Sequence, residues 1–340
     1  MPDSPTPFSA RRKPLISVVI PTFNRAHLLV ETLESIANAE WRPVEIVVAD
    51  DGSTDDTRER VKAFAGEHGD IRLHFLELRH AGAIAARNAG VAVATGEFVY
   101  FLDSDDLLVP GGPEAMVAAM ADPAVPYCVA QLAEADLEGN RLYSEGHTDS
   151  LLDHEGVVGS QWPTIVGFYR RSLLDRLGVF DAGLDMGEDK EFLWRIVAGA
   201  DAPGAVIPDV VALRRNHDMG QLTDSYTPVV MGQHTIAALD AFAQWAMRHD
   251  RMRAPVARAT YPKLWIAAVR VGAAGEREWV DRAIALTRKL EPFASGAGNR
   301  AIRRVLEILP TWGFSTLFAL MSGARRVLHA YRNARRRLSR

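Results

Sequence analysis

Three runs of apolar, largely β-branched residues recur in the first third of the chain: LISVVI at 15–20, VEIVVAD at 44–50 and EFVYFLD at 97–103. None alternates apolar with polar, so each asks to be covered on both faces, the condition of strands inside a parallel sheet. Helix-period stretches lie between them. RAHLLVETLESIAN sets Leu28, Leu29, Thr32, Leu33 and Ile36 on one stripe. STDDTRERVKAFA offers Ser53 and Thr54 as caps, with acids in its first turn. AGAIAARNAGVAVA is rich in small residues and suited to close packing, and IRLHFLEL at 71–78 reads as a weaker strand. Strand and helix in alternation imply a parallel sheet with right-handed crossovers.

Beyond residue 107 the pattern loosens. YCVAQLAEADLEGNRLYSEG reads as a hairpin turning near Gly139-Asn140, SLLDRLGVFD as a short helix ended by Gly178, and AVIPDVVALRRNH as one more strand. GEDKEFLWRIVAGA predicts a helix with Phe192, Leu193, Ile196 and Val197 inward. From about 226 onward the pattern is helical. The N-terminal MPDSPTPFSARRKP lacks the apolar core of a signal peptide and reads as a flexible lead. A single cysteine, Cys128, rules out an internal disulfide and fits a reducing compartment, hence a cytoplasmic protein.

Charge is unevenly spread. Residues 300–340 hold ten arginines and one glutamate, about +9, so the rest carries about −13 against the net −4. An acidic body argues against nucleic acid as the ligand. The basic tail is either a solvated helix or a peripheral contact with an anionic membrane on the cytoplasmic face. Within it, ILPTWGFSTLFALMSGA is uncharged but contains Pro310, Gly313 and Gly323. Trp312 and Phe314 there suit an interfacial segment better than a span.

In a parallel α/β sheet, ligands collect beyond the carboxyl ends of the strands. PTFNR, DDGS and DSDD therefore converge on one edge. Carboxylates so crowded need a counter-charge, and Mg²⁺ or Mn²⁺ shared with a substrate phosphate would supply it. On its own DSDD is equally a turn with solvated acids. No G-x-G-x-x-G follows a strand and no G-x-x-x-x-G-K-[ST] occurs, which disfavours a dinucleotide site and a P-loop.

SVVIPTFNR, VVADDGSTDDT, AARNAGVAVATGEFVYFLDSDD and GEDKEFLWRI occur in this order. Together they resemble family 2 glycosyltransferases of the GT-A fold, over roughly residues 15–217. The resemblance implies a mixed, mainly parallel sheet flanked by helices, with a helical C-terminal extension. It implies a GT-A domain at 15–225, with a nucleotide-binding half (15–106) and an acceptor half (107–225), then a helical region at 226–340. Pro21, Thr22 and Asp51 are then the residues at the nucleotide base. Arg87 approaches the nucleotide, and Arg25 is either a further contact or a surface arginine. Asp103 reaches the ribose and Asp105 the metal, both counting as metal-site acids, while Asp106 orients the next turn. His217 is a third metal ligand or a plain loop histidine. Asp189 is the base that deprotonates the acceptor, with Glu188 supporting the helix start or the acceptor. Trp162 either stacks on the acceptor or fills the core.

The expected reaction is metal-dependent, inverting transfer of one sugar from a nucleoside-diphosphate sugar to a glycan or lipid-linked acceptor, in cell-surface polysaccharide or glycolipid synthesis. Neither the Q-x-x-R-W motif nor the long spans of processive synthases is found. A nucleotidyltransferase would want a Gly-rich, basic loop after the first strand, and PTFNRAH is not one. A non-catalytic sugar-nucleotide-binding protein is the other alternative.

Overall fold

In the computed structural model the described residues are 12–145, 164–185, 187–216, 227–294, 297–310 and 313–321. Trp162, His217, Trp312 and the arginine-rich end beyond 321 lie outside them. The chain divides into compact units at 1–220 and 221–340.

Among the described residues the first unit is a helix-flanked mixed sheet of nine strands, ordered β3-β2-β1-β4-β8-β6-β9-β5, with β7 on β6. These are β1 (Ile16–Thr22), β2 (Val44–Asp50), β3 (Arg72–Glu77), β4 (Phe98–Phe101), β5 (Leu107–Leu108), β6 (Tyr127–Ala135), β7 (Arg141–Glu145), β8 (Gly167–Arg170) and β9 (Ala205–Arg215). Every residue of β1, β2 and β4 is buried, as unalternating apolar runs require, whereas edge strand β3 is partly exposed. The four N-terminal strands pair in parallel; β8 joins β4 antiparallel, and β6 pairs parallel with β9. The hairpin of β6 and β7, over 127–145, forms as its turn signals ask, with Gly139 at a φ of +80°.

Helices α1 (Ala26–Asn38), α2 (Thr57–Glu67), α3 (Ala83–Val93), α4 (Gly112–Ala119), α5 (Arg171–Leu177) and α6 (Glu188–Gly199) cover this sheet. Small residues let α3 lie close: a Cβ on Gly90 would stand 2.5 Å from Cγ1 of Val19. The capping differs from expectation. Helix α2 begins at Thr57, and its first amide is served by Oδ1 of Asp55 at 3.2 Å, while the other oxygen of that carboxylate takes the backbone N–H of Ala26 at 3.0 Å. One carboxylate thus caps two helices, since Arg25 at the N-cap of α1 supplies no side-chain cap. Ser53 and Thr54 bond instead to Asn24, stitching the first two edge loops together.

The second unit is helical: α7 (Pro228–Arg248), α8 (Ala254–Ala273), α9 (Arg277–Leu290), α10 (Ala297–Ile308) and a helical stretch at 313–321. No helix among the described residues is long and apolar enough to cross a membrane. Phe314, expected at an interface, is 2% exposed and packs where Gly272 has no side chain. Its ring completes the unit's own core. Among the described residues Ile308 and Leu320, at 78% and 65%, are the most exposed large apolar side chains.

Candidate active site

Parallel pairing aligns the carboxyl ends of β1, β2 and β4. Thr22 lies opposite Asp50, the N–H of Asp51 donates to Thr22 O at 2.9 Å, and that of Leu102 to Val19 O at 3.1 Å. The loops carrying Thr22–Arg25, Asp50–Ser53 and Asp103–Asp106 therefore share one edge, as the sequence requires.

Pro21 and Thr22 are buried at that edge. Phe23 is 41% exposed, its ring centroid 4.4 Å from that of His80. Gly52 turns the second loop at a φ of +86°, where a side chain would also crowd the His80 amide. Asp51 is buried, and its carboxylate accepts the N–H groups of Ala81 and Gly82, each at 2.8 Å, with His80 Nδ1 2.9 Å from Oδ2. Asp51 thus holds the entry of α3 as well as facing the edge, a structural task its turn position did not disclose.

The 103–106 loop is fastened from outside itself. Thr32 Oγ1 lies 3.0 Å from Ser104 O and 2.8 Å from Asp106 O, and Ser35 Oγ accepts the N–H of Leu108 at 3.0 Å. Arg215, wholly buried at the end of β9, donates from Nε to Asp105 O at 2.5 Å, from Nη2 to Leu28 O at 3.2 Å, and to Glu31. Its backbone N–H reaches Asp106 Oδ1 at 3.1 Å. Burial raises the Asp106 carboxyl well above its usual range, and the charges of Asp103 and Asp105 push the same way. Three acids that repel one another are thus held on a fixed backbone. Sequence reasoning did not single out Thr32, Ser35 or Arg215 as holding this loop. The available signal was a polar Thr32 on the apolar stripe of α1.

Each outer acid of the loop has an arginine. Arg25 Nη1 is 2.5 Å from Asp105 Oδ2. Arg87 Nη2 is 2.8 Å from Asp103 Oδ1, and its Nη1 is 3.2 Å from Glu188 Oε1. Arg87 therefore joins the 103–106 loop to the start of α6, and Glu188 turns towards it. Burial opposes the Arg87 charge, but Asp103, Glu188 and Asp189 outweigh it and raise its pKa. Burial, then the neighbouring Asp189 charge, raises Glu188, with Arg87 acting against both. Asp189 is half-buried and accepts the N–H of Lys190 on Oδ1 at 2.7 Å. Helix α6 is rooted by Phe192 against Phe180 and Tyr169, at 4.5 and 5.3 Å between ring centroids. Arg195, paired with Glu191, ties it to the carbonyls of Leu177, Gly178 and Val179.

Two buried polar atoms at this edge lack any hydrogen-bond partner, Thr22 Oγ1 and Arg87 Nε. Buried polar atoms are ordinarily satisfied, so both suit a polar ligand. For a metal, Asp103 and Asp105 offer the hard oxygen donors that Mg²⁺ or Mn²⁺ prefers. Among the described residues they do not form a closed three-ligand cluster; the one such group, Glu34, Glu67 and His68, lies elsewhere. An open pair of carboxylates fits an ion completed by phosphate oxygens.

The profile of Glycosyl transferase family 2 matches residues 17–183, which hold every edge loop described above. The glycosyltransferase YwdF of Bacillus subtilis (strain 168), itself uncharacterized, is 30% identical over 184 residues, covering 53% of this chain and 67% of YwdF. The chain belongs to glycosyltransferase family 2. It spans about half the length, or less, of the first curated relatives that it matches. Among solved structures, S. aureus TarS 1–349 in complex with UDP-GlcNAc superposes with a TM-score of 0.70 at 17% identity, covering 91% of this chain and 92% of that one. The mannosyltransferase PcManGT from Pyrobaculum calidifontis, in complex with GDP-Man and Mn²⁺, gives 0.59 at 20% identity, covering 91% and 88%. These likenesses carry the GT-A fold.

Proposed function

We propose that this chain is a metal-assisted, inverting glycosyltransferase that moves one sugar from a nucleoside-diphosphate sugar to a hydroxyl of a glycan or lipid-linked acceptor. The observation that carries the reading is the pairing of orphaned Thr22 Oγ1 and Arg87 Nε with the acids Asp103 and Asp105 on one sheet edge. Pro21, Thr22 and Asp51 wall the base, with Phe23 beside them. Arg87 and Arg25 meet the diphosphate. Asp103, Asp105 and, outside the described residues, His217 are the residues that would hold the ion. A bound Mg²⁺ or Mn²⁺ would neutralise charge on the departing nucleoside diphosphate.

Asp189, at the first turn of α6, takes the acceptor's proton. Glu188 is the rival, because its raised pKa makes it the stronger base. Its bond to Arg87 instead suits it to setting that arginine's position. Asp189→Asn should lower kcat by roughly 10²–10⁴-fold with donor affinity, read by calorimetry, nearly unchanged. Glu188→Gln should do less to kcat. A wild-type rate in Asp189→Asn with an inactive Glu188→Gln would transfer the role to Glu188.

The proposed site of action is the cytoplasmic face of a membrane, reached through residues 300–340. The support is the arginine-rich composition of that segment and the exposed Ile308 and Leu320.

A further inference from the structure

The two arginines that meet the loop acids are not held alike. Arg87 is 8% exposed and anchored at two carboxylates, with its guanidinium carbon 5.5 Å from the Phe180 ring centroid. Arg25 stands at the N-cap of α1 with its side chain 26% exposed, and among the described residues its guanidinium contacts Asp105. Asp105, 13% exposed, is also the acid read as the metal ligand. Arg25 and a divalent ion therefore draw on the same carboxylate. An ion that took Asp105 would displace Arg25 or sit beside its fixed positive charge, and either outcome weakens binding of the ion alone. A diphosphate reverses the balance, since its oxygens satisfy the ion and the guanidinium together.

We propose that Arg25 is the counter-ion that makes metal and nucleotide binding interdependent: it holds Asp105 against a lone divalent cation and passes to the diphosphate when donor and cation arrive together. Arg87 cannot serve in this way, because leaving Asp103 would also strip Glu188 of its partner in a buried setting. The inference rests on the reading of Asp105 as a metal ligand at a nucleoside-diphosphate site. Linkage makes the coupling reciprocal, and such couplings commonly run from about 5- to 150-fold.

The test is Mn²⁺ binding to the full chain, followed by electron paramagnetic resonance of the free ion, for wild type, Arg25→Met and Arg25→Lys. Each is titrated alone and with saturating ADP, CDP, GDP, TDP or UDP. Thermal melts check that the variants fold, and Arg25→Gln replaces Arg25→Met if that variant does not fold. Arg25→Met should bind Mn²⁺ alone about fivefold or more tightly, bind the effective nucleotide more weakly, and lose most of the mutual enhancement. Arg25→Lys, which keeps the charge, should restore wild-type behaviour. If wild type shows Mn²⁺ and a nucleotide enhancing one another but Arg25→Met binds Mn²⁺ alone no better, the role of Arg25 is overturned and the site reading stands. If no nucleotide changes Mn²⁺ binding in wild type, both fall.

Discussion

Thr32→Val tests how the acid loop is held. Thr32 is wholly buried in α1, and its hydroxyl lies 2.8 Å from Asp106 O, 3.0 Å from Ser104 O and 3.2 Å from Leu28 O. One hydroxyl proton serves these three carbonyls. Valine keeps the branched shape and removes the donor, so a loop carbonyl is left buried with a weaker partner. The bond itself is worth about 1 kcal/mol net, and an unsatisfied buried carbonyl costs about 1–3 kcal/mol. The added methyl offsets part of this, leaving a loss of about 1–2 kcal/mol. For a domain of this size each kcal/mol moves the midpoint by about 2–4 °C, so Tm should fall by about 2–8 °C. The assay is thermal unfolding by near-ultraviolet circular dichroism, with Mn²⁺ affinity measured on the same samples. Affinity should also fall, because the carbonyls in question flank Asp105. Thr32→Ser keeps the donor and should preserve the affinity. Wild-type stability and Mn²⁺ affinity in Thr32→Val, with a destabilised Thr32→Ser, would show that the methyl and not the hydroxyl matters.

Other consequences follow from the same contacts. Asp51→Ala should both weaken nucleotide binding and cost about 1 kcal/mol, as loss of a helix cap does, because Asp51 carries the amides of Ala81 and Gly82; unchanged denaturation and unchanged calorimetric affinity would contradict both roles. Glu45 is wholly buried; burial alone would raise its pKa, but hydrogen bonds from Ser17, Thr95 and Gly96 outweigh it and hold the pKa below the usual 4.5. Its stabilisation is therefore present above about pH 4.5 and lost as pH falls through the lower folded value. Glu45→Gln should cost about 2–4 kcal/mol at pH 7 and little at strongly acid pH; a penalty independent of pH would refute the assignment. Truncation after residue 321, which spares Phe314 in the unit's core, should abolish salt-sensitive sedimentation with anionic liposomes, and equal, salt-insensitive sedimentation of both forms would remove the proposed membrane contact.

What could be read from the chain was whatever local pattern dictates. Fully buried β1, β2 and β4 follow from their unalternating runs, and the shared edge follows from parallel pairing. Gly178 ends α5 as its place after Leu177 suggests. What could not be read was set by distant partners. Nothing near Arg215 in sequence points to Asp105 or Glu31, which are brought to it only by the pairing of β9 with β5 and β6. That Asp51 would hold the entry of α3, some thirty residues on, is not legible in its turn. Glu188 looked like a helix-start acid until Arg87 was found against it. Helix α8 carries Pro262 in its interior, a residue that local pattern reads as a helix break.

The most direct test of direct displacement at this edge is the anomeric configuration of the product. Nucleoside-diphosphate sugars are screened with Mn²⁺ for transfer, and the active donor and its product are compared by the anomeric proton coupling in NMR. With Asp189 as the proposed base and direct attack by the acceptor hydroxyl, the account predicts inversion, an α-linked donor giving a β-linked product. A product that retains the donor's configuration would contradict it.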